Sequence, residues 1–453
     1  MSVPRFSLNI ESMDVEKAKR RQQVILRQLR DPEACRSADL QVDSCSGTSF
    51  RPALGSSASR NDDVVVVAAY RTPICKAKRG SFKDTPAEDL LEQVLKAVLE
   101  KTGVHPHEVG DIVVGNVLAP GSSRAAECRL AAFFAGFPDT VPIKTVHRKC
   151  ASGLQAVADV AAAIKSGFYD IGIGAGVESM SLDSGVHKDT FNPKVHSHAN
   201  QNVKDCLIPM GITSEIVADK YHVSRTDQDK AAFLSQKRAA AAAAKGKFDD
   251  EIIPVKAKVV DKKNGTERTI IVSADDGIRP DTSLSVLSKL KPSFKNGGST
   301  TAGNASQMSD GAAAVLLMKW EVAARRGLSI LGTLRGFSAV GVKPEIMGIG
   351  PAYAIPAAVK AANLNLHDID LFEINEAFAS QYVYCLRSLG LDAENVNVNG
   401  GAIALGHPVG ATGARCVATL LHEMKRRGKS CRYGVVSMCV GTGMGAAAVF
   451  ESA

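Results

Sequence analysis

The chain repeats itself, and a chain built twice from one pattern has to set two equivalent frameworks side by side. Asp111-Ile112, ahead of an apolar run, is echoed by Asp368-Ile369. Cys150 follows Asp111 by 39 residues (111 to 150), and the same step from Asp368 lands on His407 (368 to 407). A Gly-Ala-Ala-Ala-Val string at Gly311 to Val315 returns at Gly445 to Val449. The copies stand 257 residues apart at Cys150 and His407 but only 134 apart at this string, so the first copy carries about 123 more residues. They fall between its fourth and fifth strands and place an inserted loop domain at 183–299. The composition of that stretch agrees: it is hydrophilic, with His187, His196, His198 and many lysines.

Around the repeat, strand and helix patterns alternate. Val64-Val65-Val66-Val67 reads as a strand buried on both faces. A helix is predicted near 86–103, a strand at 111–116, a helix near 123–136 and a strand at 169–174. In the insertion a helix is predicted near 226–245. This alternation predicts an α/β fold with a mainly central, two-sided sheet. The predicted layout is a polar leader over 1–61, one half over 62–182 and 300–328, the insertion at 183–299, and a second half over 329–453.

The totals exclude several classes. A length of 453 residues leaves room for two or three domains. The formal charge of +8 is modest for that length, and nucleic-acid binding would want a sharper basic patch. Ten cysteines are scattered without paired spacing, which indicates neither a zinc site nor a disulfide framework. No apolar run approaches the ~20 residues of a membrane span.

Chemistry concentrates in a few blocks. Val141, Ile143 and Thr145 alternate as a short strand, and an Ala-rich helix from Ala151 to Lys165 is closed by Gly167. Cys150 therefore sits on a strand-to-helix elbow, where the helix dipole and basic Arg148 and Lys149 favour a thiolate. The plain alternative is an inert, buried cysteine. Duplication would bring the two elbows to one crevice, and a Cys beside a His is an activated nucleophile. His407 lies in a glycine-rich run, Asn399-Gly-Gly-Ala-Ile-Ala-Leu-Gly-His407-Pro408. Cys439 leads into a glycine-dense turn, Val440-Gly441-Thr442-Gly443, whose amides can form an oxyanion hole. Asn375, in Asn375-Glu376-Ala377-Phe378, can orient a water or cap a helix. Ser306 closes a small, polar loop from Ser299 that is apt for a hydrogen-bonded ligand tail or for a solvated turn.

Together these blocks resemble thiolases. Cys-Ala-Ser-Gly at Cys150, Asn-Glu-Ala-Phe at Asn375, Gly-His-Pro at His407 and Cys-Val-Gly-Thr-Gly at Cys439 match the family's four active-site blocks in order, from about Asp62 to the C-terminus. The leader is similar to that of the peroxisomal, plant-type 3-ketoacyl-CoA thiolases. Arg21 to Leu29 fits a nonapeptide peroxisomal import signal, and on a helix Arg21, Ile25, Gln28 and Leu29 share one face. A mitochondrial-type presequence is the rival, and acidic Glu11, Asp14 and Glu16 count against it. That subfamily usually has Gln and Ser where Lys149 and Ala151 stand, which leaves the reaction class intact.

The resemblance implies a thiolase fold, in which two pseudo-repeated α/β halves layer helices and sheets, with an inserted loop domain. It implies a homodimer in the peroxisome (the glyoxysome in plants) that cleaves 3-ketoacyl-CoA in β-oxidation. His407 would activate Cys150 as nucleophile, and Cys439 would act as general acid and then base. His407 with a water on Asn375 would form one oxyanion site, and the amides of Cys150 and Gly441 the other. Coenzyme A would be a co-substrate rather than a resident cofactor, met by Ser306 at the pantetheine arm and Arg279 at the nucleotide end. No metal is implied. The partners expected are 3-ketoacyl-CoA, CoA and an import receptor. A biosynthetic acetoacetyl-CoA thiolase and a non-catalytic CoA- or lipid-binding protein are the alternatives. The Met-Gly-x-Thr motif, Met210 to Thr213, would line the acyl pocket. Nearby Cys206 is hypothesised to form a reversible disulfide with Cys150.

Overall fold

The computed structural model describes residues 48–50, 63–119, 123–183, 191–261 and 263–453. The leader signal at Arg21 to Leu29 and His187 lie outside the described residues. One half of the molecule carries strands Val64–Arg71 (β1), Asp111–Gly115 (β2), Ile143–Val146 (β3), Ile171–Ser179 (β4) and Ser309–Lys319 (β5). The other carries Gly332–Gly341 (β6), Leu371–Ile374 (β7), Tyr433–Val440 (β8) and Met444–Ser452 (β9). They join into one continuous sheet in the order β3-β2-β4-β5-β1-β6-β9-β8-β7.

Read outward from the β1–β6 junction, the halves run β1-β5-β4-β2-β3 and β6-β9-β8-β7. Where β3 would recur, a single parallel bridge joins Phe372 to Val396. Strand directions match as well: β2 and β4 are parallel, as are β7 and β8, while β5 and β9 run antiparallel to their neighbours. Residues 180–308 separate β4 from β5, whereas 441–443 alone join β8 to β9.

Helices Ala87–Thr102 (α1) and Ser123–Phe134 (α2) cover the outer face of the first half. Ser152–Lys165 (α3) carries Cys150 at its start. Met210–Lys220 (α4) and Arg225–Ala244 (α5) belong to the long connection, and Gly350–Ala361 (α6) and Ala379–Leu389 (α7) cover the second half. Thr412–Arg427 (α8) follows His407. α3 and α8 are buried along most of their length and share one core between the half-sheets, joining Leu154 and Val157 to Val417, Leu421, Leu317 and Met438. The layers are thus helices, half-sheet, paired central helices, half-sheet, helices. Among the described residues no helix is long and apolar enough to cross a membrane.

The structure corrects the register of the repeat. Short 3₁₀ turns at Pro106–Glu108 and Leu366–Asp368 precede β2 and β7, and each carries a reciprocal cap, Glu108 to the His105 amide and Asp368 to the Asn365 amide. Asp368 therefore corresponds to Glu108, and Asp111 to Leu371. The true offset is 260 residues (153 to 413), aligning Ser152-Gly153 with Thr412-Gly413. In that frame His407 matches His147, and Cys150 matches Gly410. A two-residue match at Asp-Ile misled by three positions because Asp caps turns as readily as it opens strands. The strand predicted at 169–174 is also displaced. Tyr169 is drawn out to lie across Gly110 and Gly172, and the strand runs on to Ser179 because β2 and β5 both pair with it.

The inserted segment is tied to the body by charge. Arg71, wholly buried at the end of β1, donates to Glu251 at 2.6 Å and as a fork to Asp275 at 2.7 and 3.0 Å. A planar guanidinium meets two carboxylates there without an orphaned charge. A second tie centres on buried Glu423 of α8. Burial alone would push its carboxyl up, but hydrogen bonds from Asn399 and Arg427, with the Lys247 and Arg426 cations, hold it down at about 2. A depressed carboxylate stabilises the fold above its unfolded pKa and loses that contribution as pH falls through the folded value. We therefore expect Glu423→Gln to cost about 2 kcal/mol at pH 7. In urea titrations its gap from wild type should close as pH falls from about 4.5 towards 2; a gap independent of pH would contradict this account.

Candidate active site

The Cys150 elbow is built by one hydroxyl and one unusual backbone. Lys149 takes φ +45°, in the left-handed region that residues with a Cβ seldom occupy. Ser152 secures the turn: its Oγ accepts from the Arg148 amide at 2.9 Å and donates to the Lys149 carbonyl at 2.6 Å. The amides of Gly441 and of Cys150 itself point at the Cys150 sulfur. The sequence reading expected a thiolate here. Instead burial pushes the Cys150 thiol up, and the two amides and the Lys149 cation oppose this without reversing it. Cys150 is only half-buried as a residue, but the crowding around its sulfur disfavours charge more than one helix turn favours it.

Cys439 is the penultimate residue of β8, fully buried and packed with Met347, Ala377 and Phe378. Its thiol is pushed well up, first by burial and then by its closeness to Cys150. The two cysteines are thus neighbours although they come from different halves, and both are free thiols. The Asn375 amide donates to the Ser437 carbonyl at 2.8 Å, which fixes Asn375 two residues from Cys439 on the adjoining strand. Its side-chain Nδ2 lies 3.3 Å from His407 Nε2, and its Oδ1 is buried with no protein partner. Phe378, not Asn375, occupies the cap position of α7.

His407 is buried, with Nδ1 2.6 Å from Thr412 Oγ1. Burial, and then the Arg415 guanidinium, hold its imidazole down at about 3, so it is neutral at physiological pH. Arg415 in turn pairs with Glu373 at 3.4 Å, both buried. Burial pushes that carboxyl up to about 8, against the pull of Arg415. Glu376 fixes the glycine-rich run before His407, accepting from Ser235 Oγ, Asn397 Nδ2 and the Ile403 amide.

Ser306 adjoins this group: it is half-buried, and its amide donates to the Ala377 carbonyl at 3.0 Å. Arg279 stands apart. It is exposed, with its amide held by Gln236 at 2.7 Å. The segment it belongs to is nonetheless tied to the His407 run, because Gln307 Nε2 donates to the carbonyls of Gly277, Ile403 and Ala404. From the inserted segment, the Met210 sulfur reaches 3.4 Å from where a Cβ on Gly441 would sit. Cys206 follows the short helix Gln201–Asp205 and is half-buried. Among the described residues no group of three or more His, Cys, Asp or Glu side chains is placed to hold a metal ion.

Several residues escaped the sequence reading. Glu178 is fully buried and accepts four N–H groups, from Asn116 Nδ2 and the amides of Val117, Leu118 and Gly410. It joins the end of β4 to the loop after His407. Burial pushes its carboxyl up to about 7, against hydrogen bonds from the Leu118 and Gly410 amides. Glu215 of α4 likewise receives the amides of Ser299 and Thr300, closing the insertion onto its return. Only the Ser152–Thr412 correspondence carried a signal in the sequence, and a repeat register three residues out concealed it.

A two-half α/β sheet with paired central helices, and two cysteines, a neutral histidine and an asparagine drawn from both halves, define a thiolase. Residues 64–321 match the thiolase N-terminal domain family and residues 328–452 the thiolase C-terminal domain family, and the chain belongs to the thiolase family. It is 65% identical over 437 residues to the Arabidopsis thaliana protein named 3-ketoacyl-CoA thiolase 1, peroxisomal, covering 96% of this chain and 97% of that one. The dimeric peroxisomal thiolase of Saccharomyces cerevisiae superposes with a TM-score of 0.79 at 45% identity, covering 87% and 98% of the two chains. Human mitochondrial 3-ketoacyl-CoA thiolase in complex with CoA gives 0.76 at 38% identity, covering 86% and 98%.

Two raised thiols and a neutral histidine have a testable consequence. The rate of Cys150 alkylation by iodoacetamide, read by peptide mass spectrometry, should rise with pH through and beyond the ordinary thiol range near 8.5. It should show no inflection near 6.5, because His407 does not titrate there. A plateau already reached by pH 7 would mean the resting sulfur is a thiolate.

Proposed function

We propose that this chain is a degradative 3-ketoacyl-CoA thiolase of peroxisomal β-oxidation, cleaving 3-ketoacyl-CoA with CoA to acetyl-CoA and a shortened acyl-CoA. The observation that carries this is the meeting of Cys150 and Cys439, with Asn375 at the end of the strand beside Cys439 reaching the neutral His407. One cysteine can hold an acyl group while the other moves a proton. A non-catalytic binding protein of this fold has no need of that pairing. The biosynthetic acetoacetyl-CoA reading is not favoured, since the relatives at high identity are named 3-ketoacyl-CoA thiolases.

In the proposed sequence His407 Nε2 takes the Cys150 proton and the sulfur attacks the 3-keto carbon. The developing oxyanion would be met by His407 and a water held on Asn375. The C2–C3 bond breaks, and Cys439 gives its proton to the departing acetyl-CoA carbanion. The acyl group remains on Cys150 as a thioester, whose oxygen reaches the amides of Cys150 and Gly441. CoA then loses its thiol proton to Cys439 and attacks the thioester, acyl-CoA leaves, and the expelled Cys150 sulfur takes back the proton held on His407. Burial suits this cycle, because charge appears only when substrate supplies its partner.

Coenzyme A is read as co-substrate, with Ser306 at the pantetheine arm and Arg279 at the nucleotide end. The working unit is read as a homodimer. The leader is read as an address: Arg21 to Leu29 would be bound by a peroxisomal import receptor.

Mass spectrometry after mixing with acyl-CoA tests the assignment of the cysteines. Cys150→Ala should abolish both exchange and acyl-enzyme. Cys439→Ala should cut kcat by at least about 10²-fold while still forming an adduct at Cys150. A stable adduct on Cys439 would reverse the roles. For the leader, a reporter carrying residues 1–35 should enter peroxisomes and stay in the cytosol with Arg21→Ala. Import that survives the change, or delivery to mitochondria, defeats the reading.

A further inference from the structure

The repeat, set in its corrected register, assigns a role to a residue outside the four active-site blocks. In the first half the Ser152 hydroxyl spends its proton on the Lys149 carbonyl and its lone pair on the Arg148 N–H. In the second half Thr412 stands in the place of Ser152, and Pro408 in the place of Arg148. Proline has no N–H to give. The Thr412 hydroxyl again spends its proton on a carbonyl of the turn, that of Pro408, at 2.9 Å. Its oxygen is left open to a donor, and His407 Nδ1 occupies that place at 2.6 Å.

A hydroxyl has one proton. With that proton drawn to the Pro408 carbonyl, which also takes the Ala411 and Thr412 amides, Thr412 accepts from the ring and Nδ1 carries the hydrogen; a hydroxyl turned towards Nδ1 would reverse the two. Nε2 then holds the lone pair, and Asn375 Nδ2 at 3.3 Å is a donor towards it. At rest the ring holds one proton only, since burial and the nearby Arg415 guanidinium disfavour the imidazolium until substrate brings a developing negative charge.

We propose that Thr412, its lone pair freed by Pro408, is a positioning residue that holds His407 as the Nδ1–H tautomer and so keeps Nε2 as the proton acceptor for Cys150. Its catalytic consequence rests on the reading of His407 as the base. The first half used the same hydroxyl to shape the cysteine elbow; the second uses it to orient a proton on the histidine. The exchange of Arg for Pro at one equivalent position separates the two uses.

The tautomer is read directly by ¹⁵N NMR of histidine-labelled enzyme, on wild type and without mutation. The expected result is a protonated Nδ1 and an unprotonated Nε2 for His407; the reverse overturns the proposal. Thr412→Val keeps the shape and removes the acceptor. It should lower kcat and the Cys150 alkylation rate by about 10²-fold, with KM nearly unchanged, as expected for a histidine held in the wrong tautomer. Thr412→Ser should recover most of both. Pro408→Ala returns an N–H to compete for the hydroxyl oxygen and should lower the alkylation rate without removing any group from the site. If Thr412→Val alkylates Cys150 at the wild-type rate while His407→Ala does not, the base reading stands and the Thr412 proposal fails. If His407→Ala also alkylates at the wild-type rate, the base reading is the one that fails, and with it the consequence claimed for Thr412.

Discussion

Everything at this site depends on how closely α3 and α8 can cross. A Cβ on Gly413 would lie 2.1 Å from the Leu154 amide nitrogen, and one on Gly153 would lie 2.8 Å from the Gly410 carbonyl. Any side chain there would drive the two central helices apart. Glycine lets backbone meet backbone, and the elbows at the starts of these helices, one bearing Cys150 and one following His407, come to face each other. The contact is reciprocal because both helices descend from one pattern. A shared core with residues from both half-sheets then holds the crossing in place.

The same burial that secures the helices sets the electrostatics. Removing a thiol, a second thiol and an imidazole from water favours the uncharged form of each. The result is a resting site without net charge among these three groups, close to the Arg415 guanidinium, whose buried partner Glu373 is itself pushed towards its neutral form. That cation bears on His407 and discourages the imidazolium. A neutral imidazole and two neutral thiols hold no resting charge that solvent would quench.

The long connection between β4 and β5 is held at several places by polar groups rather than by a large core of its own. Arg71 grips Glu251 and Asp275, Glu215 closes the return at Ser299 and Thr300, and the Ser214 hydroxyl meets those of Thr300 and Ser380. These anchors carry Met210 over the Gly441 turn. Gln307 ties Gly277, and through it the segment of Arg279, to the residues just ahead of His407.

Much of this was legible in the sequence. The duplication, the alternation of strands and helices, the two cysteines, His407 and Asn375 all stand out as composition against spacing, because short-range chemistry such as a glycine turn or an Ala-rich helix is written locally. The register of the repeat was not legible. Asp111 and Asp368 look alike as letters, and only the paired 3₁₀ turns before β2 and β7 show that Asp368 answers to Glu108. Nor could the sequence say whether Cys150 is charged, since helix dipole and neighbouring cations argue one way and burial the other, and burial is a property of the assembled layers. Glu178 and Glu376 look like ordinary acidic residues until folding surrounds each with donors from distant segments. The sequence by itself determined which reactive groups exist and that two alike frameworks would carry them; the tertiary structure decided which groups meet, which lose their water, and on which nitrogen of His407 a proton can rest.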